Sequence, residues 1–505
     1  MFILEITIIL FSVLALGALI WRNSMPNNLV YGLILAANLV VLLHWGLGAA
    51  RWQFMPVYVA VVLAALWALG SKFAPDFMQT ILRRTAYFLA PLGIGLTLLA
   101  NWAFPMFELP APSGPNAIGY REFYVADKDR AEDMTADPND VRELMVKVWY
   151  PAVPDPVAPR KPYWQQADVM SAEMIKGLNL PLPPFLLAHL DQIKTNAMPD
   201  AKLKPGDEKL PVLIFSHGSG LMAEQSTIMM EELASHGYVI FSINHPYTSL
   251  ATFLPDGRIA TLKEYADGMG EDPMGQFESI PEVAKLNHYL YEGDDRKKQL
   301  DAIEQIPQIA PGMVALEQEE VDRLAADQML VLDKVEALNK QAGDPFENRL
   351  DLQNIGVFGF SSGGYASLQT CLVDERCAAG INIDGMIFAS LVAPALEKPF
   401  MFITHIENKL TDILHDKSKA PVYSARLQDT AHASFTDLAI ASNVFQAVGY
   451  FGEMPHARKT EIENLYVKSF FDKHLKGAKV PMLDAPATEF PEVEYRADNL
   501  SASAS

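Results

Sequence analysis

Four long apolar runs with very few charges fill the first hundred residues, and they restrict the fold more than any other feature. The runs are Phe2–Trp21, Leu29–Leu47, Met55–Gly70 and Ala86–Phe104. A helix needs about 20 apolar residues to cross the ~30 Å hydrocarbon core of a membrane. The sequence therefore predicts an all-α transmembrane region of about four helices over residues 1–104. Core helices of a globular domain are the disfavoured alternative, because the runs are long, clustered and nearly uncharged.

Basic residues in the short loops predict how this region is oriented. Arg22 lies between the first two runs, Lys72, Arg83 and Arg84 lie between the last two, and Arg51 alone lies between the second and third. Cytoplasmic loops carry the excess of Lys and Arg. The face with four basic residues is thus expected in the cytoplasm. Both ends of the chain, and everything after the fourth run, are then expected outside it.

The remainder reads as a linker over residues 105–117, an α/β domain over residues 118–498 and a disordered tail over residues 499–505. It carries almost all of the formal net charge of −21, which argues against nucleic acid as a partner because phosphate binding needs clustered Lys and Arg. Short apolar runs alternate with helical patterns, which predicts a mostly parallel sheet flanked by helices. Residues 250–320 show no clear strand, so this stretch is either a lid insertion or surface decoration.

The elements that support this α/β interpretation fall into two sets. The expected strands are Glu122–Val125, Leu144–Trp149, Val212–Ser216, Tyr238–Ile243, Ile355–Phe360, Gly380–Ile383, Phe400–His405 and Tyr423–Gln428. The expected helices are Thr227–Ser235, Val321–Asn339 and Glu461–Leu475.

The strand Ile355–Phe360 leads into the segment Gly359-Phe360-Ser361-Ser362-Gly363, which matches G-x-S-x-G. In this motif the serine lies on a strained strand-to-helix turn, so its hydroxyl projects above the sheet as a nucleophile. The flanking glycines leave room for this turn. An apolar strand before it and small residues after it favour Ser361 as a catalytic nucleophile.

A serine nucleophile needs a base and an acid, which follow it in the order Asp and then His in the matching fold. Asp384 and His432 each follow a later strand, where catalytic loops of open α/β sheets gather. Asp384 could instead cap a turn with Gly385. The competing bases are His405, His415 and His456, and the competing acids are Asp429 and Asp437.

A tetrahedral intermediate needs two N–H donors. The backbone of Ser362, directly after the nucleophile, is one expected donor, and the segment His217-Gly218-Ser219-Gly220 supplies the other, with Ser219 preferred over Gly218. His217 is expected to shape this loop. A substrate pocket is assigned to Gly218, His245, Tyr247 and Phe360, although His245 and Tyr247 could equally be packing residues.

The two cysteines, Cys371 and Cys377, match neither a zinc site nor a redox pair. They are either two buried thiols or a disulfide, and a disulfide would require an oxidising compartment.

Taken together, several segments resemble the plasma-type platelet-activating factor acetylhydrolases and their bacterial relatives. They are FSHGSG, LASHGYVIFSINHPYTS, GFSSGG, INIDGMIF, DTAHASFTD, VKVWYPA and FFDKHLKG. The resemblance covers roughly Tyr120–Tyr495. It implies an α/β-hydrolase fold, the triad Ser361, Asp384 and His432, and oxyanion donors at Ser219 and Ser362.

The same resemblance implies hydrolysis of esters, typically short or oxidised acyl chains on phospholipids, without a metal or another cofactor. Phe360 and Ser362 depart from the mammalian pattern, as does the four-helix region, and this leaves the phospholipid substrate open. We therefore expect a membrane-bound ester hydrolase, with the domain outside the cytoplasm of a bacterial inner membrane. The alternatives are an acyltransferase on the same triad and a non-catalytic binding module.

Overall fold

The computed structural model describes residues 2–21, 24–70, 75–177, 181–263, 279–291, 293, 295–392 and 394–500. The helices of the N-terminal region are α1 (Phe2–Ile20), α2 (Asn27–Gly46), α3 (Met55–Gly70) and α4 (Asp76–Ala103). They pack on one another around a buried cluster that includes Ile8, Ile34, Val57 and Trp67.

Three of these helical segments are long and apolar enough to cross a membrane, namely Ile3–Ile20, Asn27–Gly46 and Trp52–Gly70. The apolar part of α4, Tyr87–Ala103, is shorter. Many of the large apolar side chains of these helices are exposed. A contiguous apolar surface of this kind is typical of helices that face lipid and uncommon on a surface that faces water. A short 3₁₀ turn at Trp52–Phe54 precedes α3 and extends the third apolar run to the 19 residues of Trp52–Gly70.

The start of α1, the α2–α3 loop and the end of α4 lie at the same end of the helical bundle. Arg51, in the α2–α3 loop, pairs with Glu5 near the start of α1 at 2.7 Å. Gln53 in the same loop donates to the carbonyl of Phe104, at the end of α4, at 3.1 Å. The chain therefore enters α1 and leaves α4 at the same end of the bundle, which fits an even number of crossings.

The rest of the chain forms one large sheet with a small hairpin and flanking helices. The strands are β1 (Ala117–Ala131), β2 (Val141–Ala152), β3 (Met198–Pro199), β4 (Leu210–Ser216), β5 (Val239–Asn244), β6 (Ala251–Phe253), β7 (Ile259–Thr261), β8 (Leu350–Phe360), β9 (Cys377–Ile383), β10 (Phe400–Thr404), β11 (Val422–Leu427) and β12 (Val493–Asp498). The helices are α5 (Ala167–Gly177), α6 (Thr227–Ser235), α7 (Pro281–Tyr291), α8 (Arg296–Ile309), α9 (Pro311–Lys340), α10 (Ser362–Val373), α11 (Lys409–Lys417), α12 (Asn443–Ala447) and α13 (His456–Lys476).

The large sheet has the order β12-β11-β10-β9-β8-β4-β5-β2-β1-β3. Its centre, from β11 to β5, is parallel, while β2 and β12 pair antiparallel to their neighbours. All eight expected strands are present, so the α/β-hydrolase fold class is confirmed. The carboxyl ends of the parallel strands lie at one edge, and the expected site residues follow β4, β5, β8, β9 and β11.

Alternate residues of each central strand pack on opposite faces, because successive side chains of a strand point in opposite directions. In β4, Val212 and Ile214 pack towards α9 and α10, while Leu213 and Phe215 pack towards α6 and α13. Burial on both faces explains the continuous apolar runs of the sequence. Two helical layers therefore hold the sheet edge that carries the site.

Residues 250–320 contain more regular structure than the sequence indicated. They begin with the β6–β7 hairpin, and the described part after residue 278 is mostly helical, in α7, α8 and the start of α9. Val283, Leu286 and Ile306 are buried in the core cluster on the α9 face of the sheet. This part of the expected lid is thus a packed helical layer, and residues 264–278 lie outside the described residues.

The end of the expected linker is held against α6 by hydrogen bonds. The backbone N–H groups of Ser113 and Asn116 donate to the Glu232 side chain at 2.8 Å and to the Ser235 carbonyl at 3.1 Å, respectively.

The structure joins Cys371, near the end of α10, to Cys377, at the start of β9, in a disulfide. The disulfide alternative for the two cysteines is therefore the one present.

Candidate active site

Ser361 occupies the turn between β8 and α10 with a left-handed φ of 53° and a ψ of −118°. A non-glycine residue in this conformation is strained, and such strain is concentrated at functional sites. Gly359 and Gly363 permit the turn, because a Cβ on either would come within 2.3 Å of a carbonyl oxygen. The local sequence therefore builds the expected elbow, with the Ser361 side chain only half-buried.

The structure brings Ser361, His432 and Asp384 into one hydrogen-bonded chain. His432 Nε2 lies 3.1 Å from Ser361 Oγ, and His432 Nδ1 lies 2.6 Å from Asp384 Oδ2. The His432 side chain is 49% exposed, whereas that of Asp384 is 3% exposed. A buried carboxylate that orients a half-exposed imidazole towards a serine hydroxyl can activate that hydroxyl for attack.

The Asp384 carboxylate also accepts hydrogen bonds from a second histidine. His405 donates its backbone N–H to Oδ1 at 2.9 Å, and its Nδ1 lies 2.8 Å from Oδ1 and 2.7 Å from Oδ2. Although burial raises the pKa of Asp384, hydrogen bonds from His405 and His432 outweigh it and lower the pKa below its ordinary value. Asp384 is therefore held as an anion between two imidazoles.

The side chains of Asp384, His405 and His432 are close enough together to hold a metal ion, since their potential ligand atoms lie within 4.8 Å of one another. Each imidazole nevertheless lies at direct hydrogen-bond distance from the carboxylate. Hydrogen bonding therefore accounts for the arrangement without an ion. The expectation that the site uses no metal stays a prediction.

The loop after β4 lies against the nucleophile. A Cβ on Gly218 would come within 2.8 Å of the Phe360 ring and 3.0 Å of the Ser361 Cβ. The Gly218 N–H already donates to Gln225 Oε1 at 2.9 Å, so it is committed inside the protein. Ser219 is exposed, so its backbone N–H is favoured over that of Gly218 as the donor from this loop to a substrate. Ser362, at the first turn of α10, has an N–H that the helix itself cannot use.

The residues assigned to the pocket have other surroundings. Phe360 is buried and its ring stacks on His432 with centroids 4.7 Å apart, so it supports the imidazole. Tyr247 is half-buried, and the Lys263 ammonium lies 5.0 Å from its ring centroid. His245 has no exposed surface and bonds to Asp327 and Ser216, so the packing alternative holds for it. The pocket assignment of His245 is therefore wrong.

The competing acids and bases lie in structural positions. His415 is bonded to Asp498 at 2.7 Å and to Ser424 at 2.8 Å. Asp437 is buried and accepts from the Ile228 N–H at 2.9 Å, where it caps α6. His405 contacts Asp384 rather than the nucleophile, a role that sequence reasoning missed because it treated His405 only as an alternative base.

A second hydrogen-bonded Ser–His–Asp chain lies beneath the loop after β4. His245 Nε2 lies 3.0 Å from Ser216 Oγ, and His245 Nδ1 lies 2.7 Å from Asp327 Oδ2. Asp327 also forms an ion pair with Arg142 at 2.6 Å. Only Asp327 gave a signal in the sequence: it is a charged residue on the apolar stripe of a helix.

Comparisons with known proteins place the chain in a family. A family model described as platelet-activating factor acetylhydrolase, isoform II, matches residues 102–476. A platelet-activating factor acetylhydrolase from Gallus gallus is 23% identical over 399 residues, covering 73% of this chain and 84% of the relative. One from Cavia porcellus is 22% identical over 390 residues, covering 74% and 79%.

The chain belongs to this family. A probable 1-alkyl-2-acetylglycerophosphocholine esterase from Arthroderma benhamiae is 29% identical over 170 residues, covering 28% of this chain and 43% of the relative. A ferulic acid esterase from Streptomyces cinnamoneus has a similar fold, with a TM-score of 0.56 and 23% identity over 77% of this chain and 98% of that one. Its family and esterase relatives make the chain a carboxylic ester hydrolase.

Proposed function

We propose that this protein hydrolyses carboxylic esters through an acyl-enzyme formed on Ser361, with His432 as base and acid and Asp384 as its orienting carboxylate. The observation that carries the proposal is the unbroken hydrogen-bonded chain from the Ser361 hydroxyl through the His432 ring to Asp384. The strained backbone at Ser361 supports it, since strain of this kind is tolerated where function requires it.

The proposed reaction has two halves. Ser361 Oγ attacks the ester carbonyl while His432 Nε2 takes its proton, and the oxyanion accepts bonds from the N–H groups of Ser219 and Ser362. His432 then returns the proton to the departing alcohol, leaving the acyl group on Ser361. Water attacks this acyl-enzyme with His432 again acting as base, and the carboxylic acid is released.

The substrate class we propose is a phospholipid ester with a short or oxidised acyl chain. The names of the relatives support it, since they act on platelet-activating factor. The position of the site supports it as well. Asn443, at the start of α12, donates to the carbonyl of Trp102 near the end of α4 at 2.7 Å, and this helix follows the His432 loop. Val444 and Val448 there are exposed, so this short helix has an apolar side next to the membrane helices.

The location we propose is outside the cytoplasm of a bacterial inner membrane. The Cys371–Cys377 disulfide supports it, because disulfides persist in oxidising compartments. The orientation rests on the basic residues of the sequence, of which Arg83 and Arg84 lie in α4 and Arg51 lies in the α2–α3 loop, while Arg22 and Lys72 lie outside the described residues. The proposed organisation is a transmembrane region over residues 1–104, a linker over 105–117, a hydrolase domain over 118–498 with an insertion over 250–320 whose helices pack on the sheet, and a tail over 499–505, of which 501–505 also lie outside the described residues.

A fluorophosphonate probe and a series of p-nitrophenyl esters test the mechanism on the full chain in detergent. Labelling and turnover are expected in the wild type and absent in Ser361→Ala. Equal labelling of both proteins, or none with no turnover, would contradict the proposed nucleophile and favour a binding module. Phosphatidylcholines with acetyl or palmitoyl at the second position test the substrate class, with faster release of acetate expected. Ester products formed with added alcohol would instead indicate an acyltransferase.

A further inference from the structure

The carboxyl end of β10 places a second imidazole on the acidic member of the proposed triad. His405 follows β10, the strand between the two strands that position Asp384 and His432. Among the described residues, the hydrogen bonds to the Asp384 carboxylate come from these two histidines alone. Three N–H groups thus surround the carboxylate, and two of them belong to His405.

We propose that His405 is a positioning residue of the proposed hydrolase, which holds the Asp384 carboxylate in the orientation that His432 needs. The proposal rests on the function proposed above. A carboxylate with a single imidazole partner is free to rotate about its terminal bond, so the His432 contact would be made part of the time. Bonds from His405 to both oxygens remove that freedom and leave Oδ2 directed at His432 Nδ1.

The geometry also gives His405 a defined proton. Because the Asp384 oxygens only accept, both His405 Nδ1 and His432 Nδ1 must carry hydrogen. The two rings lie with centroids 6.0 Å apart. Both imidazoles therefore present an N–H group to the same carboxylate.

The other charged groups near His405 are already paired. Glu407 and Lys409, on the same loop, form an ion pair with each other. Arg426, on the neighbouring strand β11, pairs with Glu494 of β12. Asp384 is then the charged group that the His405 ring bonds.

The experiment compares His405→Ala with His405→Asn in the full chain in detergent. Asparagine places an N–H donor close to the position of the histidine Nδ1 but cannot take up a second proton. With a soluble p-nitrophenyl ester, His405→Ala should lower kcat about tenfold with little change in KM, since a hydrogen bond to a charged group is lost. His405→Asn should restore most of kcat.

The split between kcat and KM and the rescue by asparagine supply readouts that a purely structural role would not change. A defect confined to the orientation of Asp384 should lower kcat, leave KM near the wild-type value and be reversed by the donor in His405→Asn. His415→Asn is the matched control, because His415 also bonds a carboxylate at 2.7 Å but away from Ser361, and its kcat and KM should match the wild type.

Three results would overturn the proposal. A wild-type kcat in His405→Ala would show that the carboxylate needs no second hydrogen-bond partner. Equal losses in His405→Ala and His405→Asn would show that ring shape matters rather than the donor. A loss in His405→Ala as large as in His432→Ala would make His405 the base. If His405→Ala does not fold, His405→Gln serves in its place, and absence of labelling in the wild type would reject the proposed function itself.

Discussion

Two Ser–His–Asp chains occur at the same edge of one sheet, and their distances are nearly equal. The serine-to-imidazole distance is 3.1 Å for Ser361 and 3.0 Å for Ser216, and the imidazole-to-carboxylate distances are 2.6 Å and 2.7 Å. The two serines are close neighbours, because Ser216 is paired with Gly359 across β4 and β8. The residue types and spacings therefore do not distinguish them.

Their surroundings do distinguish them. His432 is 49% exposed, whereas the side chains of His245 and Asp327 have no exposed surface. Ser216 ends a regular strand and its hydroxyl also accepts from Gln328 at 2.9 Å, so it has no strained turn and no free approach. Burial lowers the pKa of His245, with Asp327 opposing the shift. An internal chain of this type supports the fold, and reaction chemistry requires access and oxyanion donors in addition to the chain.

Removing each serine in turn should give the largest difference between the two sites. Ser361→Ala should lower turnover of a p-nitrophenyl ester by about 10⁴-fold or more, since loss of a triad nucleophile has effects of this size. Ser216→Ala should keep nearly wild-type turnover and fluorophosphonate labelling. A comparable loss of activity in Ser216→Ala, in protein with an unchanged melting temperature, would show that the buried chain takes part in the reaction.

The two aspartates should separate stability from activity. Asp327→Asn removes the carboxylate that pairs with buried Arg142, and it should lower the free energy of unfolding by about 3–5 kcal/mol. Asp384→Asn should leave that free energy nearly unchanged and reduce kcat instead, because its partners are imidazoles rather than a fixed cation. Denaturant unfolding and ester turnover measure the two quantities, and similar stability losses would remove the distinction.

Lowering the pH should destabilise the fold through buried histidines such as His217 and His245. Burial lowers the pKa of His217 to about 3, and the pKa of His245 is lowered as well. A histidine whose folded pKa is depressed gives its full stability above its unfolded value of about 6.5, and this stability falls as the pH falls below it. At pH 5 His217 should cost about 2 kcal/mol relative to pH 7.

Melting temperatures between pH 5 and 7 test this linkage. The wild type should lose stability steadily over this range, and His245→Gln should lose less. A slope that is the same in both proteins would mean that groups elsewhere cause the acid sensitivity.

The smallest expected effect is at the far end of the elbow helix. Replacing Cys371 and Cys377 together with serine opens a loop of 6 residues, which should reduce the free energy of unfolding by about 1–2 kcal/mol. The kcat should not change, because the elbow at the other end of α10 is fixed by Gly359 and Gly363. A marked loss of kcat would show that the disulfide acts on the nucleophile through this helix.

Strands were predictable where they are buried on both faces. Ile355–Phe360 and Val212–Ser216 are continuous apolar runs, and both are strands of the sheet centre. The edge strand Val493–Asp498 was not predicted, because its residues alternate with charges and only pairing with β11 makes it a strand. The β6–β7 hairpin was missed because each of its strands has three residues, too few to show a pattern in the sequence.

The apolar helices, the order of the strands along the chain and the elbow at Ser361 follow directly from the sequence, because each depends on residues that are neighbours in the chain. Which histidine bonds which carboxylate depends instead on how distant segments pack. His432 reaches Asp384 across 48 positions, and His245 reaches Asp327 across 82, through the order in which strands and helices pack. The exposure of His432 and the burial of His245 also depend on tertiary packing, because the segments that cover a residue come from distant parts of the chain. For this reason the hydrogen-bonded Ser361 and His432 are accessible from the surface, whereas Ser216, His245 and Asp327 are buried.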